Sequence, residues 1–119
     1  MNWNLDRNRP ICPQLCEQIC TWIATGELAP QQRLMSVREV ALAAGVNPNT
    51  VQRAFEQLEQ QGVLYSVRGA GWYVSADTEA AHTLRANLAQ QTMQEFFCKM
   101  TALGIDPEET KMRVKEWQL

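Results

Sequence analysis

The sequence predicts a mainly α-helical fold with one small β-hairpin: three helices and the hairpin form a first domain, and two further helices follow as a tail. Three observations carry this reading. Apolar residues recur at helical spacing through 12–23, 40–44 and 51–58, which gives each of three helices one buried face. Capping residues and glycines stand at the ends of those stretches. The β-prone runs Val63-Leu-Tyr-Ser-Val67 and Trp72-Tyr-Val74 flank Arg68-Gly-Ala-Gly71, the composition of a hairpin with a flexible tip. At 119 residues, 45% of them hydrophobic and 20% charged, the chain holds one ordinary domain plus an attachment and is too short for a two-domain enzyme. The division is expected after residue 76, giving 1–76 and 77–119.

The first helix is expected at about 13–25, opened by Pro10 and Pro13 and stopped by Gly26. Cys12, Leu15, Cys16, Ile19, Trp22 and Ile23 form its inward face. Residues 27–35, with Pro30, are expected as a connection. Ser36-Val-Arg-Glu39 is a capping box, opening a short helix at about 37–44 that Gly45 ends. Asn47 then caps a third helix, Pro48 takes its first position, and it runs to about Gln61 with Val51, Phe55 and Leu58 inward.

Two such helices joined by a short glycine-containing turn have the pattern of a helix-turn-helix. On the outer face of the second, Asn49, Gln52, Arg53 and Glu56 follow helical spacing, with Thr50 beside them. Asn, Gln and Arg make paired hydrogen bonds to adenine or guanine edges, and a recognition helix presents its N-terminal residues to the bases. Periodicity alone fits a solvated polar face equally well. The hairpin tips the balance, because a hairpin directly after a helix-turn-helix makes a winged helix. Its Arg-Gly tip brings backbone close to phosphate or the minor groove. Reading Gly69-Ala-Gly71 as a nucleotide loop is weaker, since no Gly-Lys-Ser/Thr follows and no helix opens there.

Pro10-Ile11, Gly26-Glu-Leu-Ala-Pro30, Arg33-Leu-Met-Ser-Val-Arg-Glu39, Gly45-Val-Asn-Pro-Asn-Thr-Val51 and Arg68-Gly-Ala-Gly-Trp-Tyr-Val74 together resemble the GntR-type winged-helix regulators, over 10–75 nearly without gaps. Two departures stand out: Met35 replaces the proline usual before the serine, and Gln31 replaces the glycine usual after Pro30. The resemblance implies that Ser36 and Arg38 contact duplex DNA from the second helix, Asn47, Asn49, Thr50, Gln52 and Arg53 from the third, and Arg68 and Gly69 from the wing. Glu56 is expected to be solvated or paired with a neighbouring arginine.

In the tail, Ala81, Leu84, Leu88, Met93, Phe96, Phe97, Met100 and Leu103 predict one helix over 77–103, closed by Gly104-Ile105. Asp106-Pro-Glu-Glu109 opens a last helix with Thr110, Val114 and Trp117 on one side. Two helices of this size do not enclose a core of their own, so they pack either onto the winged helix or against a second copy of the chain. One recognition helix also reads only a few base pairs, so a symmetric dimer on a palindromic operator is expected. Its interface would use Leu84, Leu88, Phe96, Phe97, Met100 and Trp117. The short tail is similar to that of the YtrA-like branch of the family. That likeness implies a homodimeric transcription regulator, a repressor of its own or a neighbouring transporter-type operon. A winged-helix protein–protein adaptor without DNA readout is the alternative.

Charge narrows the choice of partner. Lys+Arg 11 against Asp+Glu 13 gives a net −2, which excludes DNA binding by bulk charge. Residues 1–76 contain six arginines, no lysine and six acids, while 77–119 carry the whole net charge. Arginine is the side chain suited to bidentate contact with phosphate or guanine. No apolar run approaches the ~20 residues of a membrane span. The start Met-Asn-Trp-Asn-Leu-Asp-Arg lacks the features of a signal peptide. A cytoplasmic chain without membrane contact, cofactor or metal is expected. Cys12, Cys16 and Cys20 lie four residues apart and raise the question of a soft metal or a redox sensor. Their spacing is poor for a disulfide and no Cys-x-x-Cys is present, so they read as small apolar residues, with Cys20 the most accessible. Cys98 reads the same way. His82 has no nucleophile elbow or orienting partner around it, which argues against an enzyme. Phe96, Phe97 and Trp117 are the best candidates for lining a small hydrophobic effector pocket, with no effector implied by the residues.

Overall fold

A computed structural model describes residues 2–119; Met1, the first residue of the N-terminal reading, lies outside them. The element order is α1 (Ile11–Thr25), α2 (Val37–Ala44), α3 (Pro48–Gln60), β1 (Leu64–Val67), β2 (Gly71–Val74), α4 (Glu79–Ala102) and α5 (Pro107–Glu116). The five helices and two-stranded hairpin are those the sequence predicts, with ends that differ by at most two residues. Two compact units result, one through Arg85 and one over Ala86–Leu119. The first therefore extends past residue 76, because Ala81 is buried in its core and Ala80 and Leu84 pack against that core.

In the first unit α3 is the central element. Val51, Ala54, Phe55 and Leu58 form a stripe with no solvent exposure, packed with Leu15 and Ile19 of α1 and Val40 of α2. Asn47 Oδ1 accepts from the Asn49 N–H at 2.8 Å and Pro48 takes the first helical position, so the start of α3 is doubly specified. At α2 both halves of the capping box form: Ser36 Oγ accepts from the Glu39 N–H and Glu39 Oε1 accepts from the Ser36 N–H, each at 3.1 Å.

Helix α1 starts at Ile11, earlier than expected, because Pro10 with φ −52° and ψ 133° stands outside as the cap. Pro13 then falls in the first turn, where its missing N–H costs nothing. Pro10 offers no capping side chain, and buried Gln14 instead ties down the segment that precedes the helix. Its Nε2 donates to the carbonyls of Asp6, Arg9 and Pro10, and its Oε1 accepts from the Asp6 N–H at 2.7 Å. This folds the N-terminal segment onto α1, where Trp3 meets Trp22 edge-on at 4.7 Å. Arg7 donates to the carbonyls of Ala44 and Gly45 and so closes the C-terminus of α2.

β1 and β2 pair antiparallel in the register Leu64–Val74, Tyr65–Tyr73, Ser66–Trp72 and Val67–Gly71. The inner face sets Trp72 edge-on to Phe55 at 5.5 Å, and the outer face stacks Tyr65 on Tyr73. The connection after α1 does more than the sequence predicts. Leu34 N–H donates to Trp72 O, Gln31 N–H to Val74 O and Val74 N–H to Gln32 O, at 2.8–2.9 Å. Residues 31–34 thus lie along β2 as a third, short antiparallel edge, bridged at Arg33–Tyr73. Gln31, which the resemblance marks as a departure from the usual glycine, has φ +64°, the only non-glycine with positive φ among the described residues.

In the second unit, Gly104 at φ +83° ends α4. Ile105 N–H then donates back to Met100 O, as a glycine stop requires. Asp106 caps α5 through the Glu109 N–H at 2.8 Å. Thr110 is fully buried, whereas Val114 is exposed and Trp117 lies just past the last turn at 72% exposure. The expected inward face of this helix is therefore reduced to Thr110.

The cysteines correct one expectation. Cys20 is buried at 3% exposure rather than the most accessible of the three, while Cys12 and Cys16 are partly exposed and Cys98 is exposed. Cys12 and Cys16 point at α3, with Sγ within 3.6 Å of Gln57 Oε1. Burial first, and then the neighbouring Cys12 and Cys20 thiols, push the Cys16 pKa up to about 12. Burial takes Cys20 to about 11. Both thiols stay protonated near neutral pH, unlike reactive or metal-binding cysteines.

Two tests follow from these environments. A left-handed backbone costs a non-glycine residue about 1–2 kcal/mol, partly offset by the extra freedom glycine has when unfolded. Gln31→Gly is expected to raise stability by roughly 0.5–1 kcal/mol, read as a higher urea midpoint at unchanged slope; an equal or lower midpoint contradicts it. The unfolded chain sheds the Cys16 and Cys20 protons near pH 9.0, whereas the folded chain keeps them to about 12 and 11. Stability is therefore whole below pH 9 and declines as pH rises through that window. A Cys16→Ala/Cys20→Ala double variant is expected to decline less steeply there, and parallel curves would contradict the assignment.

Candidate nucleic-acid interface

Burial of the Val51–Leu58 stripe turns the other side of α3 to solvent. Asn49, Gln52, Arg53 and Glu56 are exposed and Thr50 is half-buried at the first turn. Asn47 precedes them, its side chain committed to the cap. Gln52 Nε2 donates to Glu56 Oε1 at 2.9 Å, so Glu56 is held by a glutamine and not by an arginine. The Gln52 amide oxygen keeps its accepting capacity.

From α2, Ser36 serves as cap and Arg38, in the first turn, is exposed. Hydrogen bonds from Ser36, its backbone first and its hydroxyl second, together with the positive charge of Arg33, hold the Glu39 carboxyl below its ordinary range. Glu39 therefore stays ionised and keeps the capping box closed. At the wing, Arg68 is exposed and Gly69 takes φ +79°, allowing the tight tip that Ala70 N–H closes on Val67 O.

The arginines divide by what they touch. Arg9 pairs with Asp6 at 3.2 Å, and Arg7 is bound to the end of α2. Arg33, Arg38, Arg53 and Arg68 are exposed and make no ion pair among the described residues. Sequence reasoning did not single out Arg33. Its signal was its place in the Arg33–Glu39 motif, but its position depends on the third edge strand, which no periodicity announced. Arg33, Arg68, Gly69, Gly71 and Trp72 line an open concavity of about 570 Å³ along the wing.

The six residues expected at a dimer interface fall into three environments. Leu84 packs on the core of the first unit. Leu88, Phe97 and Met100 are half-buried, and Phe96 and Trp117 are exposed. Within the second unit Phe96, Met100, Val114 and Trp117 line a groove of about 930 Å³ with Arg113 and Glu116 at its edge. Phe97 meets Phe96 edge-on at 5.7 Å. Among the described residues, no helix is long and apolar enough to cross a membrane.

Known proteins share this arrangement. Residues 13–74 match the family described as "Bacterial regulatory proteins, gntR family". The HTH-type transcriptional regulator YhcF of Bacillus subtilis is 32% identical over 97% of this chain and 95% of its own length. The repressor YtrA of the same organism is 28% identical over 90% and 83%. A GntR family transcriptional regulator from Listeria monocytogenes superposes with a TM-score of 0.81 at 37% identity, covering 96% of this chain and 100% of that one. The DNA-binding domain of AraR, solved in complex with operator ORR3, superposes with a TM-score of 0.52 at 36% identity, covering 54% of this chain and 77% of that one. The family consists of transcription regulators rather than enzymes, and the likeness to YhcF and YtrA spans nearly the full chain. A winged helix with an exposed Asn/Gln/Arg face and unpaired arginines on the same unit belongs, in this chain, to a DNA-binding transcription regulator of the GntR family.

Proposed function

We propose that the chain is a cytoplasmic, homodimeric repressor of its own or a neighbouring transporter-type operon. α3 lies in the major groove, and the wing rests on backbone or minor groove. The observation that carries this reading is the outer face of α3. Asn49, Gln52 and Arg53 are exposed at the N-terminal half of a helix whose opposite side has no exposure at all. Packing on that side fixes the axis of α3, so the exposed side chains start from a set backbone. Arg38 and Arg68 supply phosphate contacts; Gln52 and Arg53 supply base readout.

Dimer formation through residues 77–119 is supported by Phe96, Leu103, Met112 and Trp117, large apolar side chains left exposed. Two half-sites one helical turn apart would then give the specificity that one helix lacks. The repressor sense is supported by YtrA, which bears that description. The 930 Å³ groove is the place for a small apolar effector, should one act here.

The test is fluorescence anisotropy with a duplex from the protein's own upstream region, a scrambled duplex serving as control at the same salt. Tight binding of two chains per upstream duplex is expected, with weaker binding to the control. Arg38→Ala is expected to weaken both and to lower the salt slope by about one. Gln52→Ala is expected to cost roughly 1–3 kcal/mol on the upstream duplex alone. Equal, weak binding to both duplexes would contradict the reading and favour the adaptor.

A further inference from the structure

We propose that Arg33 is an additional DNA-contacting residue: the third edge strand lays its guanidinium along the outer face of the wing, where it forms with Arg68 a two-arginine clamp on the phosphate backbone. The inference rests on the DNA-binding mode proposed above and extends it to a residue outside the helix-turn-helix and the wing tip.

Geometry carries it. The bridge to Tyr73 puts Arg33 opposite a residue whose ring stacks on Tyr65, on the outer face of the hairpin. Leu34, the next residue, is buried, so Arg33 is held on the solvent side by strand alternation. Its side chain runs towards the tip over Gly71. A Cβ on that glycine would stand 3.3 Å from Arg33 Nε and 3.5 Å from Nη2. Gly71 thus does two things: its φ of +114° starts β2, and its missing side chain leaves the channel the guanidinium occupies.

The chemistry of the concavity points to an oxyanion. Arg33 and Arg68 both line it, and neither makes an ion pair among the described residues. Two carboxylates stand near, each hydrogen-bonded to a serine, and the Arg33 charge reaches Glu39 without closing an ion pair. Glu39 is bound to the Ser36 N–H, and Glu59 accepts from the Ser66 N–H and hydroxyl. Two guanidinia without ion pairs on a water-open surface match a phosphodiester rather than a base edge, because the concavity is open and no residue of α3 lines it. The backbone pairing of residues 31–34 with β2 fixes where the Arg33 side chain leaves the main chain.

The experiment compares wild type, Arg33→Lys and Arg33→Gln by anisotropy on the upstream duplex and on a mixed-sequence duplex over a salt series. Arg33→Gln is expected to lose on the order of tenfold in affinity on both duplexes equally, with the salt slope lower by about one. Arg33→Lys is expected to keep the slope. Circular dichroism melts verify that both variants fold; if Arg33→Gln melts early, loss of affinity by Arg33→Lys at an unchanged slope still supports a bidentate phosphate contact. Wild-type affinity and slope in Arg33→Gln would overturn the clamp and leave the DNA-binding reading standing. A change of preference between the duplexes at unchanged slope would overturn it in favour of a base contact. Failure of wild type to bind either duplex would overturn both.

Discussion

The interaction on which the rest of the structure depends is the burial of one side of α3. Val51, Ala54, Phe55 and Leu58 have no solvent exposure. They take in α1 and α2, and through Phe55 and Trp72 they also take in the hairpin. Fully burying a side chain of this size contributes about 1.5–3 kcal/mol, so the stripe orients the helix more strongly than any single hydrogen bond around it. Once the stripe is inside, the helical period leaves Asn49, Gln52, Arg53 and Glu56 nowhere but outside. Function is in this sense a by-product of packing.

Much of this was legible because several signals agreed at each element. α2 carries a capping box and a glycine stop, and its ends fall where the sequence predicts. α3 carries a capping Asn, a proline at its first position and an apolar stripe, and both the helix and its polar face were readable from them. Residues 2–9 and 31–34 were not. Their structure comes from contacts distant in sequence: Gln14 gathers carbonyls upstream, Arg7 reaches the end of α2, and the 31–34 edge pairs with β2. No local pattern announces pairings of that kind. Arg33 escaped notice for the same reason, since its value lies in the strand that carries it.

Cysteine burial was misread by the opposite route. Helical spacing put Cys12, Cys16 and Cys20 near one face but said nothing of what packs around it. The core closes over Cys20, while Cys12 and Cys16 border α3 at Gln57. Charge was similarly opaque. The first 76 residues sum to zero, yet the two arginines engaged in structure, Arg7 and Arg9, lie before α1, whereas the four without ion pairs all follow it. A domain that sums to zero thus still exposes four arginines without ion pairs among the described residues, which is how a chain of net charge −2 is compatible with binding DNA.

The central claim, that the outward side of α3 meets DNA while its inward side holds the fold, is tested most directly by titrating the isotope-labelled protein with an operator duplex and following its amide resonances. The account predicts that the side-chain amides of Asn49 and Gln52 and the backbone amide of Gly69 shift most, while the amides of Leu15 and Ile19 on the far side of the core stay in place. Shifts centred on α1 or on residues 86–119, with Asn49 and Gln52 unmoved, would contradict it.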